Sequence, residues 1–361
     1  MIIGWLYPEK NAIRQTNLQE FISVIIPVRN ERENILFLLD DLNQQEYPAN
    51  FYEVVIIDDH SDDGTSELIA SRMHHYKYPI QFLKLSDPED GRATKKKAIE
   101  LGVGKAKGKI ILTIDGDCRV SSAWIGSYNR FFYTEKVDFA SGMVTFHEEK
   151  SLFEAMQAAE FAILTGLGAV TIRLGQPALC NAANMGFTKQ AFMEVGGYGD
   201  VDHIISGDDV LLLEKFDSRN KKIKFLKHQD AIVKTLPQKK WMDFYHQRKR
   251  WSSKWRMHKK PTVAALALFV FFLNFSFLLF VTFALLGEIS GKIIIVLLMI
   301  KLLPELAFIL IIYKFLHKKL NFTVFLLLGI VYPWYTVFFG IIANGGGFKW
   351  KGRDFKVQNA K

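Results

Sequence analysis

Cysteine is nearly absent: the 361 residues include only Cys118 and Cys180. Two cysteines cannot build a disulfide framework, and the chain therefore suits a reducing compartment. No glycine triplet of the dinucleotide-binding kind follows any predicted strand, which disfavours an NAD-binding domain. The apolar start, Met1 to Pro8, is too short to span a bilayer and lacks a signal-peptide cleavage site, so the soluble part is expected to begin in the cytosol. Charge is missing from Val263 to Gly287, 25 positions, and again from Phe322 to Ala343, 22 positions. Each run is long enough to cross a membrane. Between them, Ile293 to Tyr313 is apolar apart from Lys301 and Glu305, spaced i, i+4 around Pro304, and reads as a third segment whose charge pair neutralises itself at a kink.

Acid is scarce in one further place. From Pro237 to Pro261, nine Lys and Arg face the single Asp243, a net 9 − 1 = +8, while the whole chain carries +9. Trp241, Phe244, Tyr245, Trp251 and Trp255 are interleaved with these bases, the composition of a helix lying in a headgroup layer rich in anionic lipid. A hydrophobic run beginning at Val263 argues against nucleic acid as its partner.

Before this stretch the chain alternates strands and helices. Phe21 to Pro27, Val54 to Ile57, Ile80 to Leu85 and the run from Ile110 read as buried strands, and their spacing is that of parallel βαβ units, which predicts a three-layer α/β sandwich. Ligands bind such sheets at the carboxyl ends of the strands. Two of the four ends are acidic: Asp58 and Asp59 close the second strand, Asp115 and Asp117 the fourth. Asp115-Gly-Asp117 can be a tight turn, or can converge on one hard cation that holds a diphosphate. A carboxylate at the second strand's end can accept hydrogen bonds from a base or a ribose. Of Lys95, Lys96 and Lys97, at least one can reach a phosphate; the other two read as a solvated helix face.

Several motifs in order resemble those of family 2 glycosyltransferases of the GT-A (nucleotide-diphospho-sugar transferase) fold. They are Ser23-Val-Ile-Ile-Pro-Val-Arg-Asn-Glu31, the Asp-Asp-x-Ser-x-Asp-Gly-Thr of residues 58 to 65, Asp115-Gly-Asp117, Asn181-Ala-Ala-Asn-Met-Gly-Phe187, Val195-Gly-Gly-Tyr198, Gly207-Asp-Asp209 and Gln247-Arg-Lys-Arg-Trp251. Members with the Gln-x-x-Arg-Trp motif include cellulose and poly-N-acetylglucosamine synthases and enzymes resembling ceramide glucosyltransferase. The resemblance implies transfer of a sugar from a nucleotide diphosphosugar, usually a UDP-sugar, with inversion. It also implies that Pro27, Arg29, Asn30, Glu31, Asp58 and Asp59 frame the nucleoside. Asp115 and Asp117 would bind Mg²⁺ or Mn²⁺ and the diphosphate, and Lys95 matches the lysine after the third strand. Asp209 falls at the base position with Asp208 before it; both also fit a helix N-terminus. Asn184, Gln247, Arg250 and Trp251 would serve the acceptor and diphosphate.

The resulting organisation is an N-terminal extension (1–20), a catalytic domain (21–236), a basic aromatic interfacial helix (237–261), a region of about three hydrophobic segments (262–345) and a basic tail (346–361). A bacterial-type inner membrane with the catalytic domain in the cytosol is the expected location. Three full spans would leave the basic tail outside, against the charge rule, so the run containing Pro333 is expected to be broken or re-entrant and the tail cytosolic. A membrane lipid is the preferred acceptor, since three segments are few for a polymer pore. A processive polysaccharide synthase subunit and a silent membrane scaffold are the rivals.

Overall fold

The computed structural model describes residues 1–6, 18–86, 95–201, 204, 206–254, 260–343 and 345–356. Thr94, Trp255 and the bases at 256 and 259 lie outside them. Two compact units are present, one of residues 3–147 and 165–236, the other of residues 1–2, 148–164 and 237–361.

In chain order the first elements are α1 (Ile2–Leu6), β1 (Ile22–Val28), α2 (Ile35–Asn43), β2 (Tyr52–Asp58), α3 (Thr65–Arg72), β3 (Ile80–Lys84), α4 (Lys95–Lys105) and β4 (Ile110–Thr113). Next come α5 (Trp124–Glu135), β5 (Phe139–Gly142), β6 (Val144–Phe146), α6 (Leu152–Arg173), β7 (Met185–Thr188), α7 (Lys189–Glu194), α8 (Asp208–Ser218), β8 (Ile223–Leu226) and β9 (Val233–Thr235). A seven-stranded sheet runs β3-β2-β1-β4-β7-β5-β8. Its first four strands are mutually parallel, as the spacing predicts, while β7 is antiparallel to both β4 and β5. All seven residues of β2 and all four of β4 are buried, which is why these strands read as continuous apolar runs.

Pro27 fits this sheet because of its register. Val28 O accepts from Asp59 N on the β2 side, whereas Ile25 O accepts from Ile114 N on the β4 side. Residue 27 shares the side of residue 25, and pairing with β4 ends at Ile25 and Thr113, so the missing proline N–H falls where no strand needs it.

The second unit contains the first part of α6, then α9 (Trp241–Ser252), α10 (Pro261–Leu285), α11 (Gly291–Phe315), α12 (Phe322–Ile342) and the hairpin β10 (Gly347–Trp350) and β11 (Arg353–Lys356). α10, α11 and α12 are long and apolar enough to cross a membrane, and α6 meets the same criteria as a fourth. Sequence reading passed over α6 because Glu154, Gln157 and Glu160 punctuate it; all three are buried inside the protein. α11 runs through Pro304 without a break, with Lys301 Nζ 3.0 Å from Glu305 Oε2. The expected interruption at Pro333 is not found: α12 is one helix of 21 residues with Pro333 buried inside it. Phe339 near its end lies 6.3 Å from Phe244 of α9, ring to ring, and the backbone N–H of Lys349 donates to His246 Nδ1 of α9 at 3.3 Å. The hairpin of the tail therefore lies beside α9.

Candidate active site

The loops after β1 and β2 are knitted into one structure. Arg29, itself buried, donates from Nη1 to Asp59 O at 2.6 Å and to His60 O at 2.8 Å. Asn30 adopts a left-handed conformation at φ 54°, which asparagine tolerates well, and exchanges two hydrogen bonds with Asp62. Glu31 N–H donates to Thr65 Oγ1 at 2.9 Å. Asp58 accepts from Ser61 Oγ at 2.5 Å and from Ser66 Oγ at 2.6 Å. Both of its carboxylate oxygens help hold the turn before α3. Asp59 is also buried, with Oδ1 3.0 Å from His60 Nδ1.

Asp115-Gly-Asp117 packs against this pair of loops. A Cβ on Gly116 would lie 3.0 Å from Glu31 Cγ and 3.2 Å from Val28 Cγ1, so glycine is what permits the approach. Past the turn, Arg119 grips Asp41 of α2 with Nε at 2.6 Å and Nη2 at 2.7 Å, a two-pronged pair that raises the Arg119 pKa. Asp117 accepts from Thr235 Oγ1 of β9 at 3.3 Å. Burial, reinforced by Asp117 and Asp115, pushes the Cys118 thiol well up, so Cys118 is a packed, protonated side chain.

The distant Gly207-Asp-Asp209 motif meets the same point. Lys95 Nζ is 2.5 Å from Asp115 Oδ1 and 3.1 Å from Asp208 Oδ2. Burial alone would lower the Lys95 pKa; the two carboxylates outweigh it and raise the value. Asp208 and Asp209 occupy the first turn of α8, after Gly207 at φ 79°, where the helix dipole favours negative charge. Asp209 is buried, and its Oδ1 accepts from Val210 N–H at 2.8 Å. The helix N-terminus expected of these aspartates is thus present.

Two neighbours hold this arrangement in ways the sequence did not indicate. Lys96, expected on a solvated face, is fully buried, and its Nζ donates to Val201 O at 2.9 Å and to Ile204 O. Tyr198, fully buried, takes Glu100 Oε1 of α4 with its N–H at 2.7 Å and donates its hydroxyl to Asp208 O at 2.9 Å. Burial first, then Asp208 and Asp209, drive its phenol well above the ordinary range.

Asn184 is a correction. Its Oδ1 accepts from Trp124 Nε1 at 3.1 Å and Tyr128 Oη at 2.8 Å, and its Nδ2 donates to Met143 O and Ala231 O, both at 2.8 Å. With the side chain fully buried and all four of its hydrogen bonds made internally, none remains for an acceptor.

The Gln-x-x-Arg-Trp segment lies on α9 in the second unit. The inward cation there is Arg248, 1% exposed, whose Nε and Nη2 reach Glu160 Oε2 of α6 at 3.0 and 2.7 Å. Its guanidinium sits 4.6 Å from the Phe244 ring centre and 4.3 Å from that of Trp251, and donates to Gln247 Oε1 at 2.5 Å. Trp251 also stacks on Phe161 at 5.6 Å. Its ring thus packs between Arg248 and Phe161 while staying partly exposed. Arg250, also on α9, is half-buried, and Trp241 is 59% exposed.

Comparison with known proteins decides the family. The description "Glycosyl transferase family 2" matches residues 23–196, and "Glycosyl transferase family group 2" matches residues 110–345, well over half the chain. The chain is a family 2 glycosyltransferase. Among curated relatives of this glycosyltransferase, "Glycosyltransferase AglE" of Haloferax volcanii is 29% identical over 195 residues, covering 54% of this chain and 60% of that protein. "Beta-monoglucosyldiacylglycerol synthase" of Trichormus variabilis is 32% identical over 117 residues, covering 32% of this chain and 24% of its own. "Dolichyl-phosphate beta-glucosyltransferase" of Dictyostelium discoideum is 34% identical over 103 residues, covering 27% and 31% respectively. The glycosyltransferase thus spans at most 60% of these relatives. In fold it is similar to the mannosyltransferase PcManGT from Pyrobaculum calidifontis, solved with GDP-Man and Mn2+, with a TM-score of 0.57 at 15% identity, covering 94% of this chain and 90% of that one. The GT-A fold expected from the motifs is the fold observed.

Proposed function

We propose that this glycosyltransferase moves a sugar from a nucleotide diphosphosugar, of which a UDP-sugar is the first choice, to a membrane-embedded lipid by a single inverting displacement. The observation that carries the reading is the meeting of Asp115 and Asp208 on one cation, the Lys95 ammonium, at 2.5 and 3.1 Å. Carboxylates from separate motifs have no structural need to converge on a strand end, and perturbed ionisable groups collect at working sites. The nucleoside lies against the clamped loops at Pro27, Arg29, Asn30, Glu31 and Asp59, and the diphosphate at Asp115, Asp117 and Lys95.

The residues fit a divalent ion. Asp115 and Asp208 offer hard oxygen ligands and already enclose a positive charge, and the oxygens of a diphosphate would complete the set, since among the described residues no three acidic, His or Cys side chains gather closely enough to hold an ion alone. Mg²⁺ or Mn²⁺ held there would stabilise the negative charge growing on the departing diphosphate. The protein supplies the rest. The acceptor hydroxyl attacks the anomeric carbon as the bond to the nucleotide diphosphate breaks, and Asp209 takes the hydroxyl proton. Lys95 and the α8 N-terminus make the electrostatic potential at the leaving phosphates more positive, which stabilises the charge growing there.

Lipid as the acceptor class is supported by the apolar helices and by the printed names of two relatives, one a glucosyldiacylglycerol synthase and one acting on dolichyl phosphate. A location in the cell membrane, with the catalytic unit in the cytosol, is the reading that the same helices and the scarcity of cysteine support. The test is nucleotide release and glycolipid formation, read by mass spectrometry with a panel of nucleotide sugars and a membrane lipid extract. Asp209→Asn is expected to lose transfer by at least ~100-fold while still binding nucleotide. Equal transfer by this variant would remove Asp209 from the mechanism, and long polymer made by the protein alone would favour the processive alternative.

A further inference from the structure

We propose that Lys95 is a built-in counter-ion which keeps the divalent cation from binding alone, so that cation and nucleotide diphosphate must arrive together. The inference rests on the donor-site reading above and adds the order in which that site fills.

Three observations support it. The Lys95 ammonium lies between Asp115 and Asp208, in contact with both, and so occupies the position where two hard carboxylates would receive a metal. Its side chain is 17% exposed, and the neighbouring Lys96, bonded to Val201 O and Ile204 O, fixes the start of α4 beneath it. Among the described residues, no three His, Cys, Asp or Glu side chains gather closely enough to hold an ion. A small divalent ion demands about six oxygen ligands and commonly draws several from substrate phosphates. Here it would have to expel a lysine while gaining only two carboxylates. A diphosphate changes both sides of that exchange. Its oxygens complete the ion's ligand set, and they accept the displaced ammonium, which then moves from carboxylate to phosphate without losing a partner. Removing the Lys95 charge should consequently strengthen binding of the bare ion and weaken binding of the ion with nucleotide.

The experiment measures Mn²⁺ binding to the full-length detergent-solubilised protein by electron paramagnetic resonance of the free ion, with and without UDP or GDP. Wild type, Lys95→Met and Lys95→Arg are compared, and circular dichroism confirms that each is folded. The expected result is that Lys95→Met binds Mn²⁺ alone at least tenfold more tightly than wild type and loses most of the gain that nucleotide confers. Lys95→Arg, which keeps the charge, should bind the bare ion as weakly as wild type. If Lys95→Met binds the bare ion no better than wild type while nucleotide still promotes binding in both, the counter-ion role is overturned and the donor site stands. If neither nucleotide promotes Mn²⁺ binding to wild type, the donor-site reading falls and the inference falls with it.

Discussion

Trp124 donates its indole N–H to Asn184 Oδ1 at 3.1 Å, tying the start of α5 to the turn before β7. That amide also holds Met143 and Ala231 by their carbonyls, so one side chain joins four separate segments. Replacing it leaves several buried polar groups without partners, each costing about 1–3 kcal/mol. Asn184→Ala should lose roughly 3–5 kcal/mol of stability, and at about 2–4 °C per kcal/mol its thermal transition should fall by roughly 6–20 °C. Scanning fluorimetry of the detergent-solubilised protein checks this; an unchanged transition would return Asn184 to the acceptor role.

Glu160 and Arg248 form a buried ion pair in the second unit, with side chains 7% and 1% exposed. Removing one partner strands a charge, at about 3–5 kcal/mol, whereas replacing both with apolar side chains of similar volume is often neutral. Glu160→Ala should therefore inactivate on heating far sooner than Glu160→Leu combined with Arg248→Met. Inactivation half-lives at one temperature compare them, and equal losses would make the pair irreplaceable.

How much of this was visible in the sequence depends on the range of the signal. β1 to β4 announced themselves because buried parallel strands are apolar without interruption, and their acidic ends stood out against those runs. Asp208 and Asp209 were legible as a spacing. The bracing roles of Lys96, Tyr198, Asn184 and Arg248 were not, because their partners are carbonyls, carboxylates and rings from remote segments that no local pattern names. α6 was hidden by Gln157 and Glu160, polar residues that turn inward to Gln238 and Arg248 instead of outward to water.

Cys118 should govern part of the alkaline stability. Its native pKa lies well above the ordinary value, so both states keep the proton below about pH 8.5 and the thiol contributes no slope there. Above that pH the unfolded chain releases the proton and the folded one retains it, so stability falls as pH rises until the native thiol ionises. Buried Tyr128 and Tyr198, also raised by burial, extend the fall beyond about pH 10. Melting temperatures between pH 7.5 and 9.5 should drop more steeply for wild type than for Cys118→Ala; parallel slopes would contradict this.

Arg29 clamps the β2 loop through two main-chain carbonyls, and a charged hydrogen bond of this kind contributes about 1.5–3 kcal/mol. Arg29→Ala should raise the KM for the nucleotide sugar by roughly 10-fold or more through loosened loops, if the clamp's energy supports donor binding. Isothermal titration with the free nucleoside diphosphate tests it. Unaltered affinity would show that the loops hold their shape without the clamp.

Lys95 and Lys96 are neighbours in the chain with opposite surroundings, one among carboxylates and the other among carbonyls. Successive residues of a helix point about 100° apart, so the difference is set purely by the phase of α4. A one-residue insertion or deletion just ahead of this helix would exchange their environments without altering composition. Alignments that slip by one position across the lysine triplet would then transfer a functional label to a side chain whose work is architectural.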